Sequence, residues 1–416
     1  MRKILIVFAI ITYLQGFSQQ AFRTAVFNPD IRTLQILPVG EKYLPPVIEL
    51  NSEERLEVKF DEMSHEAHNY GYKVIHCNAD WTPSGLLTTE YLNGYTTANI
   101  TEYILSQNTT FLYTHYRFQL PNDEIQFKIS GNYVVQIYED NQQDKPIAQA
   151  CFSVVEPQVS ITANVRGNTD TELNNRLQQL DFDVIFNGVN VREPSTEVKV
   201  LIRQNNRIDN EVSGIQATYI SGNKLSYINN KELIFEGGNE FQRFDISSVY
   251  AASEGIVEIK YMQPHYEVFL TPDKIQTSRN YMHDFDVNGK FVINYQEAVY
   301  DSNYEGDYMW VNFSLPAKAP FFDGQIYIGG DFNYNIYDAR TRMMYDNETQ
   351  QYYQKVLLKQ GGYNYQYRFV LKNSKKAFVE RVDGSYWQTG NEYSIYVYHR
   401  GWGERYDKLV GVKQIQ

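Results

Sequence analysis

The sequence predicts an all-β protein of about three tandem immunoglobulin-like or E-set β-sandwiches behind a cleaved signal peptide. Three observations carry this expectation. Tyrosine and phenylalanine number 35 and 23 against only 7 methionines, a bias toward residues that pack on pleated sheets. Short runs of alternating apolar and polar residues recur along the whole chain. At 416 residues the chain is too long for a single core. The expected plan is a signal peptide at 1–18 and sandwiches at 19–157, 158–275 and 276–416.

Arg2 and Lys3 precede an apolar run over 4–14, and Gly16 and Ser18 follow it. That order belongs to a secretory signal peptide, and the run is too short to span a bilayer. Cleavage is expected after Ser18, with no cysteine placed to carry a lipid. No later stretch approaches the ~18 apolar residues of a membrane helix, so no direct membrane insertion is expected. The formal net charge of −12 becomes −14 once Arg2 and Lys3 are gone, which argues against nucleic acid as a partner. So much tyrosine exceeds what cores use, because its hydroxyl wants a partner or water. Some of it belongs on faces that touch something.

In the first unit, Leu56, Val58 and Phe60 alternate with Glu57, Lys59 and Asp61, one face in and one face wet. Residues 72–77 read as a strand that Asn78, Asp80, Pro83 and Gly85 stop and turn. Trp81, Tyr91 and Tyr95 lie in the loop beyond. The run GNYVVQIYED (131–140), a polar tip, and a return strand over 147–155 form a hairpin closed by Pro157. The second unit carries EVKVLIRQ (197–204), LIFEGG (233–238) and GIVEIKYM (255–262), the last alternating Val257, Ile259 and Tyr261. Leu173, Leu177 and Leu180 sit at helical spacing after the cap candidates Asp170 and Thr171, so a short helix is expected there. The segment 264–280, rich in turn residues, is expected to hold the second boundary. In the third unit, YMWVNFSL (308–315) turns Met309, Val311, Phe313 and Leu315 to one face. Gly361-Gly362 makes a corner, beyond which Tyr363, Tyr365, Tyr367 and Phe369 line one face.

His65, Glu66 and His68, with His76 and Cys77 nearby, hold metal-ligand residue types without a metal-site spacing. The Asp181/Asp183 and Asp284/Asp286 pairs lack the glycine and distal glutamate of a calcium loop. No nucleophile elbow, phosphate loop or dinucleotide fingerprint occurs. The expectation is therefore a non-enzyme with no catalytic residues, no metal and no cofactor. Cys77 and Cys151 either pair in an oxidising compartment or stay as small buried hydrophobes. Trp81, Tyr91, Tyr95, Trp402 and Tyr406 are the candidate partner contacts, since Trp and Tyr dominate interface hot spots. The competing reading buries each of these rings in its own sandwich.

The run HCNADWTPSGLLTTEYLNGY (76–95) resembles the first domain of the plug proteins of the type IX secretion system of Bacteroidetes. The run NEYSIYVYHRGWGERYDKLVGVKQI (391–415) is similar to the end of the same family. The resemblance implies a periplasmic protein at the inner side of the outer membrane, whose partner is the large outer-membrane translocon barrel of that system. It implies occlusion of the barrel's channel when no cargo passes. The free protein is expected to be a monomer. The order "strand, GGDFN, loop, strand, QGGYxYxY, strand" in the third unit is similar to glycogen- and starch-binding modules. That similarity implies an alternative, a carbohydrate-binding or glycan-enzyme accessory role. Where those modules carry a sugar-stacking Trp, this chain has Asn333, Tyr334 and Asn335.

Overall fold

The computed structural model describes residues 21–140, 142–251, 253–276 and 280–416. The expected signal peptide lies outside the described residues. Strands account for 47% of the structure and helices for 6%, so the protein is all-β. The strands form three sandwiches, each with its own apolar core.

In the first sandwich, one sheet runs through Pro146–Val155, Gly131–Glu139 and Tyr70–Cys77. The other runs through Ile31–Pro38, Leu56–Glu62 and Thr114–Leu120. Gly131–Glu139 is buried along nearly its whole length. It is the central strand of a sheet covered on both faces, one by its own core and one by the second sandwich.

The second sandwich departs from the expected plan. Val198–Gln204 pairs along its length with Tyr393–His399, which pairs in turn with Lys408–Ile415. The core contains Leu180, Val200 and Phe235 together with Tyr393, Ile395 and Val410. The chain thus begins this sandwich, leaves it near residue 236, builds the third sandwich, and returns to complete it. Periodicity marks each strand but says nothing about which strand lies beside it.

Two further expectations change with it. The strand Ile256–Met262 belongs to the third sandwich, next to His265–Leu270, which in turn pairs in parallel with Tyr308–Pro316. It is an edge strand, so Val257 and Tyr261 are exposed rather than inward. Within the segment 264–280 expected to hold a boundary, His265–Leu270 is a strand of the third sandwich and the described residues 271–276 stay attached to it: Asp273 donates its backbone N–H to Ser314 and accepts from two core tyrosines. The helix expected near 170–180 is absent. Glu172 instead caps the backbone N–H groups of Arg176 and Leu177 (2.5 and 2.7 Å), where the strand Leu177–Phe186 begins.

The third sandwich follows its sequence pattern closely. Met309, Val311, Phe313 and Leu315 are buried and face Tyr363, Tyr365, Tyr367 and Phe369 of the opposite sheet. At the corner, a Cβ on Gly361 would stand 2.1 Å from the Val292 carbonyl oxygen. Only glycine allows the neighbouring strand so close.

The three sandwiches are locked together by buried polar joints. Between the first and third, Asp61 accepts from His115 Nδ1 (2.7 Å), the Tyr308 hydroxyl (2.7 Å) and Lys359 Nζ (2.5 Å). Asp307 accepts from the backbone of Thr110 and Phe111 at 2.8 and 3.0 Å. Lys359 also sits 4.2 Å from the centre of the Tyr113 ring. Burial pushes the Asp61 carboxyl up, but the Lys359 ammonium and the His115 bond outweigh it and hold the group below the usual range. Burial also draws the Lys359 ammonium down. The ring of donors converging on Asp61 decides the pair for the ionised form. Between the second and third, Arg207 pairs with Asp209 at 2.7 Å and donates to the Ala377 carbonyl at 2.8 Å.

Lys359→Met is expected to cost about 3–5 kcal/mol, because it leaves Asp61 buried without its cation. Adding Asp61→Asn to that variant should restore part of the loss, since the amide removes the stranded charge. Urea unfolding of the single and double variants reads both effects.

Candidate interaction surfaces and the joints beneath them

The two sequence runs that carry the family resemblance meet in space. Tyr406 packs its ring edge-on against His76 at 5.3 Å. Asp407 accepts from the Ala79 backbone at 2.9 Å, Arg400 donates to the Asn78 side chain at 2.6 Å, and Arg405 forks onto Glu90 at 2.9 and 3.1 Å. Tyr398 reaches across to Asn132 at 3.0 Å, beside an apolar seam of Ala79, Leu201, Tyr396 and Leu409. Residues over 300 apart in sequence therefore build one joint between the first and second sandwiches. Burial pushes His76 beneath that joint down to about 4.

This geometry divides the five candidate contacts. Trp81 is buried, in a left-handed backbone conformation with φ of 62°. Arg203 lies 5.6 Å over its ring. Tyr91 is buried, with its hydroxyl donating to the Val74 carbonyl at 3.1 Å. Tyr406 is half-buried against His76. The folded chain cannot offer Trp81 or Tyr91 to a partner, because each ring is already enclosed by its own neighbours. Tyr95 is 66% exposed and Trp402 90%, and Gly403, beside Trp402, holds a φ of +83° with open space around it.

Cys77 and Cys151 are both free thiols. They lie on the two strands flanking Gly131–Glu139, opposite Asn132 and Val134. Two strand spacings, about 9.5 Å, separate their backbones, beyond the reach of a disulfide. Burial pushes the Cys151 thiol up to about 12. His68 bonds Glu62 at 2.6 Å and His65 contacts the Ser106 carbonyl at 3.1 Å. Asp181 pairs with Arg166 (2.7 Å), Asp183 with Lys224 (2.8 Å) and Asp284 with Arg243 (3.0 Å). Among the described residues, no group of three or more His, Cys, Asp or Glu is placed to hold a metal ion, and no helix is long and apolar enough to cross a membrane.

A cavity of about 160 Å³ lies where all three sandwiches meet, lined by Gln35, Trp81, Arg203, Asp331, Tyr334 and Tyr396 among others. Trp81 Nε1 and Gln35 Oε1 are buried there without a partner among the described residues, and a void of this size has room for water to satisfy them. Burial raises Asp331 to about 7. In the third sandwich, Tyr363, Tyr365, Tyr367 and Phe369 are buried in the core. The Tyr334 hydroxyl donates to the Leu34 carbonyl of the first sandwich at 3.1 Å. The loop that matches the starch-module pattern is thus spent on a joint.

The fold and its joints define a class: a multi-sandwich body whose sequence-distinctive residues hold its own parts together. Residues 31–156 match the family model for the type 9 secretion system plug protein 1st domain. A crystal structure of a hypothetical protein from Parabacteroides merdae is 42% identical, covers 95% of this chain and 100% of its own, and superposes with a TM-score of 0.93. Native α2-macroglobulin from Escherichia coli, spanning domains NIE to MG1, aligns with 49% of this chain and 97% of its own at 10% identity, with a TM-score of 0.18. No curated protein matches. Residues 31–156 thus tie the chain to the type IX secretion system plug protein family, and the match points to a secretion-related plug role.

Trp81→Ala is expected to lose about 3–5 kcal/mol, as for other large buried rings cut to alanine. Trp402→Ala should leave the thermal midpoint unchanged. Calorimetry on both variants checks the assignment. A second expectation concerns pH. Asp273 accepts from Tyr365 and Tyr367 at 2.8 and 2.6 Å, yet burial raises its carboxyl to about 6. Asp383 nearby is raised to about 7 by burial and by the Asp273 charge. Folded-state values above the unfolded ones mean that stability from this pair is complete below about pH 4. It is lost as pH rises through 6 to 7. Asp273→Asn keeps an acceptor for the tyrosines and removes a titrating charge. Denaturant midpoints from pH 5 to 8 should then fall less steeply than wild type, with a gain of about 2 kcal/mol at the alkaline end.

Proposed function

We propose that this protein occludes the translocon channel of the type IX secretion system from the periplasmic side of the outer membrane when no cargo is passing. The family match over residues 31–156 carries this reading. The joints support it. A stopper held against a wide opening has to keep its shape, and sandwiches strung on loops would hinge. Here a buried ion cluster, an arginine–aspartate clasp and an apolar seam tie the three bodies to one another. The action is steric, requires no cofactor and turns nothing over. The protein is exported by its signal peptide and is a monomer when free of the barrel. The carbohydrate-binding alternative needs a solvent-facing row of rings, and the tyrosine row that motivated it is core.

Deleting the protein should make the outer membrane leakier to solutes that the channel can pass. Removing the channel as well should abolish that leak, because the open pore is its only route. Unchanged permeability in the single deletion, or a leak that persists without the channel, overturns the proposal.

A further inference from the structure

The cavity of about 160 Å³ where the three sandwiches meet is large enough for a benzene-sized body, since an apolar cavity of about 150 Å³ takes up benzene. Ile36 and Leu44 of the first sandwich line it, with Tyr396 of the second and Phe291 of the third. Among these apolar groups stands a guanidinium whose hydrogen bonds are incomplete. Arg203 lies on the strand Val198–Gln204, with its side chain 11% exposed, and gives Nε to Glu211 at 2.7 Å. Its two terminal nitrogens make no hydrogen bond among the described residues. A planar fork of N–H donors fits a carboxylate, and such charge-assisted bonds are the strong ones. The Trp81 ring lies under the same guanidinium, and its Nε1–H is a further buried donor without a partner.

The remaining charges around the void leave room for one more anion. Glu392 is already held by Lys290 at 2.6 Å and by Gln414 at 3.0 Å. Asp331 accepts from Asn335 at 3.1 Å, and burial raises its carboxyl to about 7, so much of its charge is gone at neutral pH. At the rim, Arg23 and Lys42 are exposed and form no ion pair among the described residues. The carboxylates of the lining thus have their partners and three of its cations have donors to spare. A doubly charged phosphate fits less well than a carboxylate, because it brings a second charge beside Glu392 and no apolar body to cover the rest of the wall.

We infer that this cavity binds a small amphipathic carboxylate, its body against Ile36, Leu44 and Tyr396 and its carboxylate on the terminal nitrogens of Arg203 and on Trp81 Nε1. Because all three sandwiches line the void, the ligand binds only the joined body and stabilises it. The test titrates phenylacetate into the full mature protein by calorimetry. It should bind one to one and raise the thermal midpoint. It should also slow the labelling of Cys151, which lines the same void, by methyl methanethiosulfonate. Phenylacetamide has the same shape without the charge, and inorganic phosphate has charge without the body. Each should bind at least about tenfold more weakly, the worth of one charge-assisted bond. Arg203→Met should cut the affinity for phenylacetate by about tenfold or more. That change also strips Glu211 and the Trp81 ring of their cation, so a milder variant accompanies it. Arg23→Ala with Lys42→Ala alters only exposed sites: affinity should fall about threefold, with the midpoint of the free protein unchanged. No heat from phenylacetate, or binding that leaves Cys151 labelling unchanged, overturns the site. Equal binding of the amide overturns the carboxylate, and phosphate binding as tightly as phenylacetate overturns the apolar body.

Discussion

The buried carboxylate of Asp61 is the centre of the polar joint between the first sandwich and the third. Its place near the end of an internal strand gives it three donors from two sandwiches, His115 from its own and Tyr308 and Lys359 from the other. None of these groups is tolerable alone where it sits, because a buried charge without partners costs several kcal/mol. Together they satisfy the Asp61 carboxylate. That makes the joint specific: sliding one sandwich over the other would strand charge at every step, whereas an apolar contact would allow it to creep.

The return of the chain's end to the second sandwich has a similar mechanical effect. Because Tyr393–His399 completes the sheet begun by Val198–Gln204, the third sandwich is an insertion tethered at both ends. It cannot swing on a single linker. The joint formed by Tyr406, Asp407 and Arg400 with His76, Ala79 and Asn78 then ties that completed sheet to the first sandwich. The residues that make the family recognisable are therefore largely those that hold the body rigid. Large aromatics in such runs are as often part of a joint as part of a docking face, and Trp81 and Tyr406 belong to the joint.

What remains for recognition is the tyrosine that the cores and joints do not use. Tyr113, Tyr133, Tyr308 and Tyr398 find buried partners for their hydroxyls. Tyr250, Tyr261 and Tyr300 are exposed to solvent. A ring with a polar tip tolerates that exposure better than phenylalanine, which makes it a good material for a surface that must be soluble until it meets its partner.

The sequence alone determined the local layer of this protein. The alternation in 308–315 and 363–369 named the inward residues of the third sandwich correctly, because a strand's period of two is set by its own backbone. The all-β class followed from composition and the family from two unusual runs. Which strands lie side by side is a different matter, since pairing is decided by packing between segments remote in sequence. Only the tertiary structure could send 393–415 back to the second sandwich, or turn 264–276 from a boundary into part of the third sandwich. The same holds for charge. Asp61 sits at a position that alternation marks as wet, and it is buried because the third sandwich covers that face. The Leu173, Leu177 and Leu180 spacing imitated a helix for the complementary reason: three positions fit the period, but the loop's own hydrogen bonds and the neighbouring strands decided the backbone.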